Sequence, residues 1–283
     1  MNRNIQTFIG CDAHYAEADI VLCGIPFDGT TSFRPGARFG PSSMRMESFG
    51  IETYSPYCDR DLGDIRVFDA GDLELPFGNP QAVLTMTEER VAAFVGDGKY
   101  PVLLGGEHLI SLGAIRAMAR KYPNLAILHL DAHADLRADY LGEPLSHACV
   151  MRRIWELLGD GRLHQFGIRS GDRAEFAFAA EHTNMHRFSL AGFAELLRTL
   201  GDTPVYLSLD LDVLDPSGFQ GTGTPEAGGV SFTELLQCVL RLHTVNLVGA
   251  DIVELAPHYD ASGASTAAAC KITREILLQF KGA

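Results

Sequence analysis

The chain has 283 residues, of which 46% are hydrophobic and 21% charged, with a formal net charge of −13 at pH 7. That balance belongs to a globular chain able to bury a sizeable core and excludes disorder, collagen and coiled coil. An acidic surface of this size repels phosphate backbones and anionic lipid, so no nucleic acid or membrane partner is expected, while a small cation is drawn in. No apolar run reaches the roughly 18 residues of a membrane span, and the opening twenty residues lack the apolar stretch of a signal peptide, which makes the cytoplasm the expected location. Six cysteines lie far apart with no C-x-x-C pair and read as free thiols.

In chain order, apolar runs bounded by Gly, Pro or polar residues predict strands over 19–26, 65–70, 100–104, 125–131, 163–169, 184–190, 204–210 and 245–254. Most are continuously apolar, as a parallel sheet buried on both faces requires. Between them the 3.6-residue period predicts a helix over 80–95 behind an Asn79 cap, one over 109–122 ending before Pro123, and one over 147–158 ending at Gly159. Ser231 and Glu234 form a capping box ahead of a helix over 235–242, and a last helix covers 265–280. Alternation of strand and helix predicts an α/β fold with a mainly parallel sheet, in one domain over 1–283 because no linker or repeat interrupts it. An eight-stranded barrel fits the same pattern.

Nucleotide and hydrolase loops do not match. Gly24-Ile-Pro-Phe-Asp-Gly29 is not G-x-G-x-x-G, no phosphate-binding G-x-x-x-x-G-K-[ST] occurs, Gly167-Ile-Arg-Ser-Gly171 misplaces its serine for a nucleophile elbow, and H-E-x-x-H is missing. Three strand ends instead gather metal-type ligands: Gly105-Gly-Glu-His108, Asp131-Ala-His133-Ala-Asp135 and Asp210-Leu-Asp212. Spaced two apart, Asp131, His133 and Asp135 fall on one side of an extended backbone, and so do Asp210 and Asp212. Carboxylates crowded at a sheet end repel one another unless a cation offsets them. Four Asp and two His predict a pocket for two divalent ions, and the predominance of oxygen favours Mn²⁺ over Zn²⁺.

These segments, with Ser208-Leu-Asp-Leu-Asp-Val-Leu-Asp-Pro216, resemble the three signatures of the ureohydrolase family, the arginases and agmatinases, and most resemble bacterial agmatinases. Segments 32–41, 221–229 and 250–254 resemble the family's N-terminal loop, glycine-rich loop and substrate-carboxylate strand, so the resemblance runs from about Asp19 to the last helix. It implies a three-layer α/β/α sandwich around an eight-stranded sheet. It also implies two Mn²⁺ per subunit, one held by His108, Asp131, Asp135 and Asp210, the other by Asp131, His133, Asp210 and Asp212. By the same resemblance Asp135 also hydrogen-bonds the attacking hydroxide, Glu254 accepts the substrate guanidinium, and His147 gives the leaving amine its proton. Homo-oligomers, trimers or hexamers, are implied too.

The stretch 136–147 lacks the polar Asn and Ser run with which arginases read an amino-acid head group and resembles agmatinases. The implied reaction is hydrolysis of agmatine to putrescine and urea, with Asp139 or Glu143 meeting the distal ammonium. Ala148-Cys149-Val150 departs from the Gly-Thr-Pro or Ser-Thr-Pro that often follows the histidine in agmatinases, which keeps guanidinobutyrase or another guanidino-acid hydrolase as the alternative. A non-catalytic metal-binding scaffold is the reading outside the enzymes.

Overall fold

The computed structural model describes residues 6–282, so the first five residues and Ala283, the ends of the expected 1–283 domain, lie outside it. The chain enters strand β1 (Ile20–Ile25), passes helix α1 (Gly40–Glu47) and a small antiparallel hairpin of β2 (Tyr54–Ser55) and β3 (Arg60–Asp61), and continues as β4 (Val67–Asp72), α2 (Pro80–Gly96), β5 (Tyr100–Gly105), α3 (Ile110–Lys121) and β6 (Ala126–Leu130). Then follow α4 (Val150–Leu158), β7 (Leu163–Ile168), α5 (Arg173–His182), β8 (Asn184–Arg187), α6 (Phe193–Leu200), β9 (Pro204–Asp210), α7 (Phe232–Val239), β10 (Asn246–Val253) and α8 (Ala264–Leu277).

All eight expected runs form strands of one sheet, in the order β4-β1-β5-β10-β9-β6-β7-β8, and every neighbouring pair is parallel. β4 and β8 are open edges, so the barrel alternative is overturned. Alternate residues of β1 show why the strands read as continuously apolar. Ile20 and Leu22 join a core with α1, α6, α7 and α8, through Met44, Phe193, Leu235 and Ile272. Val21, Cys23 and Ile25 join a second core with α2, α3, α4 and α5, through Phe94, Ile115, Ile154 and Ala179. Two cores, one on each side of the sheet, make the three-layer sandwich.

Helices α1, α5 and α6 were not expected from sequence. Two of them are only eight residues long, but α5 carries an Asp172–Glu175 capping box of the kind read at Ser231. Helix α7 runs over Phe232–Val239, directly behind the Ser231 cap, rather than over 235–242. The last helix, α8, buries Ala269, Cys270 and Ile272–Leu277 against the sheet.

One buried ion pair ties α1 to the edge strand. Arg45, 3% exposed, donates to both oxygens of Asp69 (2.8 and 3.0 Å) and to Asp72, and Asp69 also accepts the N–H groups of Phe8 and Gly71. Arg45→Met leaves a buried carboxylate short of its cation. It is expected to lower unfolding free energy by about 3–5 kcal/mol in urea titration.

The crossover from β5 to β6 leaves a gap that β9 and β10 fill later, so the four central strands β5, β10, β9 and β6 end side by side where strand order switches. Ligands of open parallel sheets bind at such carboxyl ends.

Candidate metal centre and active site

Local backbone demands deliver each side chain to this end of the sheet. After β5, a Cβ on Gly106 would sit 1.8 Å from the Phe27 carbonyl oxygen, so only glycine lets the chain pass and bring His108 into the interior. Leu130 of β6 pairs with Leu209 of β9, and Asp131 and Asp210 follow at the same level. Val253 of β10 pairs with Asp210, and Glu254 comes next. Glu254 and Asp135 both hold left-handed backbone, with φ of 66° and 53°, a conformation that costs a non-glycine residue energy and concentrates at working sites. Their backbones are fixed from outside: Glu254 donates its N–H to Gly106 O, and the Asp135 carbonyl accepts the N–H groups of Met151 and Arg152, capping α4.

The six expected ligands come together, though not by the extended geometry inferred from their spacing. β6 ends at Leu130, and residues 131–135 turn: the His133 N–H folds back on Asp131 Oδ1, and Asp135 is left-handed. After Asp210 the backbone enters a 3-10 turn in which Asp210 Oδ1 accepts the Asp212 N–H at 2.8 Å. Turns, rather than strand alternation, therefore aim these groups.

His108 Nδ1 lies 3.1 Å from Asp131 Oδ2, 3.3 Å from Asp135 Oδ2 and 3.2 Å from Asp210 Oδ2. His133 Nδ1 lies 3.5 Å from Asp131 Oδ1 and 2.9 Å from Asp212 Oδ2. Asp131 thus turns one oxygen to each group, which is the arrangement a bridging ligand needs. The chemistry of the His108 ring tests whether a cation fits. Ser208 Oγ donates to Asp251 at 2.8 Å and therefore accepts from His108 Nε2, 2.9 Å away. Nδ1 is then the free ring position, buried among three carboxylates that hold a positive charge between them, either a proton on the ring or a bound cation. A divalent cation satisfies all four atoms at once, so the residues fit the metal.

Electrostatics agree. Burial, with the charges of Asp212 and Asp131, pushes Asp210 well above the usual carboxylate range, and burial with Asp131 pushes Asp135 up to about 7. Protons and cations therefore compete for the same oxygens. Because the Asp135 carboxyl is protonated below about pH 7, metal loading is expected to release protons and to weaken as pH falls from 8 to 6. Titration calorimetry in buffers of different ionisation enthalpy measures the release.

Above the acids is a cavity of about 200 Å³ lined by His133, Asp135, Tyr140, His147, Thr224 and Ser32, among others. Glu254 lies behind that lining, 3.8 Å from the His147 ring, and its Oε1 accepts the His108 N–H at 2.9 Å. Burial, then the charge of Glu107, holds Glu254 well above the ordinary range, as a carboxylate awaiting a cation would be. His147 Nδ1 is 3.8 Å from Glu254 Oε1, and its Nε2 meets the Ser32 N–H (3.2 Å) and Oγ (2.9 Å). Burial, with the charges of His133 and His108, lowers His147 to about 4, so it stands neutral.

The acids expected to meet a distal ammonium stand apart from the cavity. Asp139 accepts the Gly142 N–H and Glu143 the Leu145 N–H; both are exposed loop acids outside the cavity lining. The groups at the cavity are Glu175 and Arg137, and Arg137 pairs with Asp172 at 3.3 Å and Glu175 at 3.5 Å. Sequence reasoning also missed His129, whose Nε2 is 2.7 Å from Asp131 Oδ2, and the loop that holds His147, where Glu107 binds Thr30 and Thr31 and Thr30 Oγ1 accepts the His147 N–H. A polar residue inside an otherwise apolar strand was the available signal for His129.

The Arginase family profile matches residues 18–279. The chain belongs to the arginase family. Within that family it is 51% identical to the agmatinase of Bacillus subtilis (strain 168) across 97% of this chain and 96% of that protein, and 48% identical to the agmatinase of Bacillus anthracis across 96% of each. The crystal structure of agmatine ureohydrolase of Thermoplasma volcanium superposes with a TM-score of 0.88 at 33% identity, covering 98% of this chain and 94% of that one. The arginase-family fold implied by the signatures is therefore the fold observed.

Proposed function

We propose that this arginase-family chain is a manganese-dependent ureohydrolase that converts agmatine to putrescine and urea. The observation that carries the reading is the caged carboxylate and histidine cluster, with the buried Nδ1 of His108 aimed into it, beneath a cavity lined by His133, Asp135 and His147. One ion is assigned to His108, Asp131, Asp135 and Asp210 and the other to Asp131, His133, Asp210 and Asp212, with Asp131 and Asp210 shared. When bound, the two cations supply hydroxide at neutral pH and offset the buried negative charge.

The protein's own groups do the rest. Glu254 takes the guanidinium in a charge-assisted pair and sets its carbon over the acids, which converts binding into orientation. Asp135 reaches the same point and steadies the entering oxygen. As the carbon–nitrogen bond to the alkyl chain breaks, the departing nitrogen needs a proton. His147 Nδ1, turned toward Glu254, is the atom that gives it, while Nε2 takes up through the Ser32 hydroxyl and solvent the proton that the attacking water has lost, so ring and hydroxyl both end neutral. The neutral resting state of His147 suits such a relay, since no charge is stored beside the cations.

Agmatine is favoured over guanidino acids because the cation at the cavity, Arg137, is already paired with Asp172 and Glu175. A substrate carboxylate therefore finds no open cation there. Cytoplasmic action fits six unpaired cysteines, five of them buried. Assembly into a homo-oligomer belongs to the same reading and fits the exposure of Phe33, Met46 and Phe49. Urea release from a panel of guanidino compounds, with and without added Mn²⁺, tests the proposal. Turnover of agmatine above the others and only with metal is expected; turnover confined to guanidinobutyrate, or none on any compound with metal bound, overturns it.

A further inference from the structure

His129 stands fully buried inside β6 between Leu128 and Leu130 and has no part in the ligand set above. Its Nε2 is 2.7 Å from Asp131 Oδ2, the oxygen that His108 Nδ1 faces at 3.1 Å. A histidine placed there either adds a ligand to the ion on the His108 side or donates a hydrogen bond to Asp131, and the two roles require opposite protonation of Nε2.

The far side of the ring decides between them. His129 Nδ1 is 3.0 Å from Gln165 Nε2, and Gln165 Nε2 also donates to the Ala134 carbonyl at 2.9 Å, while Gln165 Oε1 accepts from Thr183 Oγ1 at 3.1 Å. A backbone carbonyl only accepts, so Ala134 fixes the NH₂ of the amide on that side. An NH₂ group facing His129 Nδ1 requires a lone pair there. A ring with its lone pair on Nδ1 carries its proton on Nε2, and that proton points at Asp131. A protonated ring nitrogen has no lone pair left for a cation.

We infer that His129 is a positioning residue rather than a ligand: its Nε2–H, fixed by Gln165, holds Asp131 so that the carboxylate shares its oxygens between the two ion positions. His108 and His129 therefore present opposite nitrogens to the same oxygen. His108 keeps Nδ1 for the cation because its Nε2–H goes to Ser208, and His129 offers a proton because Gln165 fills its Nδ1. This role rests on the proposed metal cage for its purpose, but the tautomer itself does not.

Two measurements on the full-length protein test it. Long-range ¹⁵N–¹H correlation on histidine-labelled protein, metal-free and loaded with diamagnetic Mg²⁺, is expected to show His129 with its proton on Nε2 in both states, its signals identified by their loss in His129→Gln. Mn²⁺ affinity is the second readout. Glutamine places an N–H donor where His129 Nε2 stands, and asparagine places its amide at the Nδ1 position instead. His129→Asn and His129→Leu are expected to raise the Mn²⁺ Kd about 10–100-fold, as loss of an outer hydrogen bond to a ligand does, and His129→Gln to stay near wild type. A proton on Nδ1, or equal affinities for the glutamine and asparagine variants, overturns the inference. Failure of the wild-type protein to bind Mn²⁺ overturns the proposed function instead and leaves the tautomer result standing on its own.

Discussion

Asp131→Asn is expected to abolish nearly all urea release and to strip the protein of bound manganese. Its two oxygens face His108 Nδ1 at 3.1 Å and His133 Nδ1 at 3.5 Å, so one carboxylate serves both halves of the cage. Asparagine removes the charge from both, and whichever way its amide turns, one half then meets an N–H donor in place of an acceptor. Bound cations contribute several kcal/mol of charge stabilisation, and at 1.36 kcal/mol per decade the loss in kcat is on the order of 10³-fold or more. Manganese content by atomic emission is expected to fall to about half of the wild-type value or less, because each ion position loses a ligand. Asp215, which follows Asp210 and Asp212 in the third signature, is the comparison: its oxygens accept from Ser217, Gly228 and Gly229 and hold a loop, so Asp215→Asn keeps its metal. Full metal content with only a tenfold loss of kcat in Asp131→Asn would remove Asp131 from the bridge.

Glu254→Gln is expected to separate substrate orientation from metal binding. Glu254 Oε1 accepts the His108 N–H at 2.9 Å, which fixes how a glutamine amide would sit: its oxygen takes that N–H and its NH₂ turns toward the substrate. An NH₂ group there opposes the guanidinium N–H groups that the carboxylate accepts. Losing one member of a buried charge pair costs about 2–5 kcal/mol, so kcat/KM for agmatine is expected to fall on the order of 10²–10³-fold. Manganese content stays at the wild-type value, since Glu254 ligates neither ion in this arrangement. Loss of metal together with activity would place Glu254 among the ligands instead.

The sheet was legible because its strands are buried on both faces, which leaves no polar alternation to obscure them; β1 and β9 are buried along their whole length. The acids were legible because charged residues directly after such runs have no solvent to face. Their aim was not, since it depends on a left-handed Asp135 and on the His133 N–H folding onto Asp131, and neither follows from a two-residue spacing. His129 was hidden for a related reason. A single histidine within an apolar strand looks like a satisfied core residue until Gln165, 36 positions away, shows which nitrogen carries the proton. His147 came from the family resemblance, yet its neutral state comes from burial and from the charges of His133 and His108, which the local sequence does not show. The setting of Asp139 and Glu143 was not legible either, since 139–143 forms an outward loop whose carboxylates accept from its own backbone.

The central claim is that six side chains from three strand ends close around two cations, and anomalous diffraction at the manganese edge on crystals grown with Mn²⁺ tests it most directly. Two peaks are expected: one bounded by His108, Asp131, Asp135 and Asp210, the other by Asp131, His133, Asp210 and Asp212. A single peak, or manganese held anywhere that leaves His108 Nδ1 without a partner, would contradict the account.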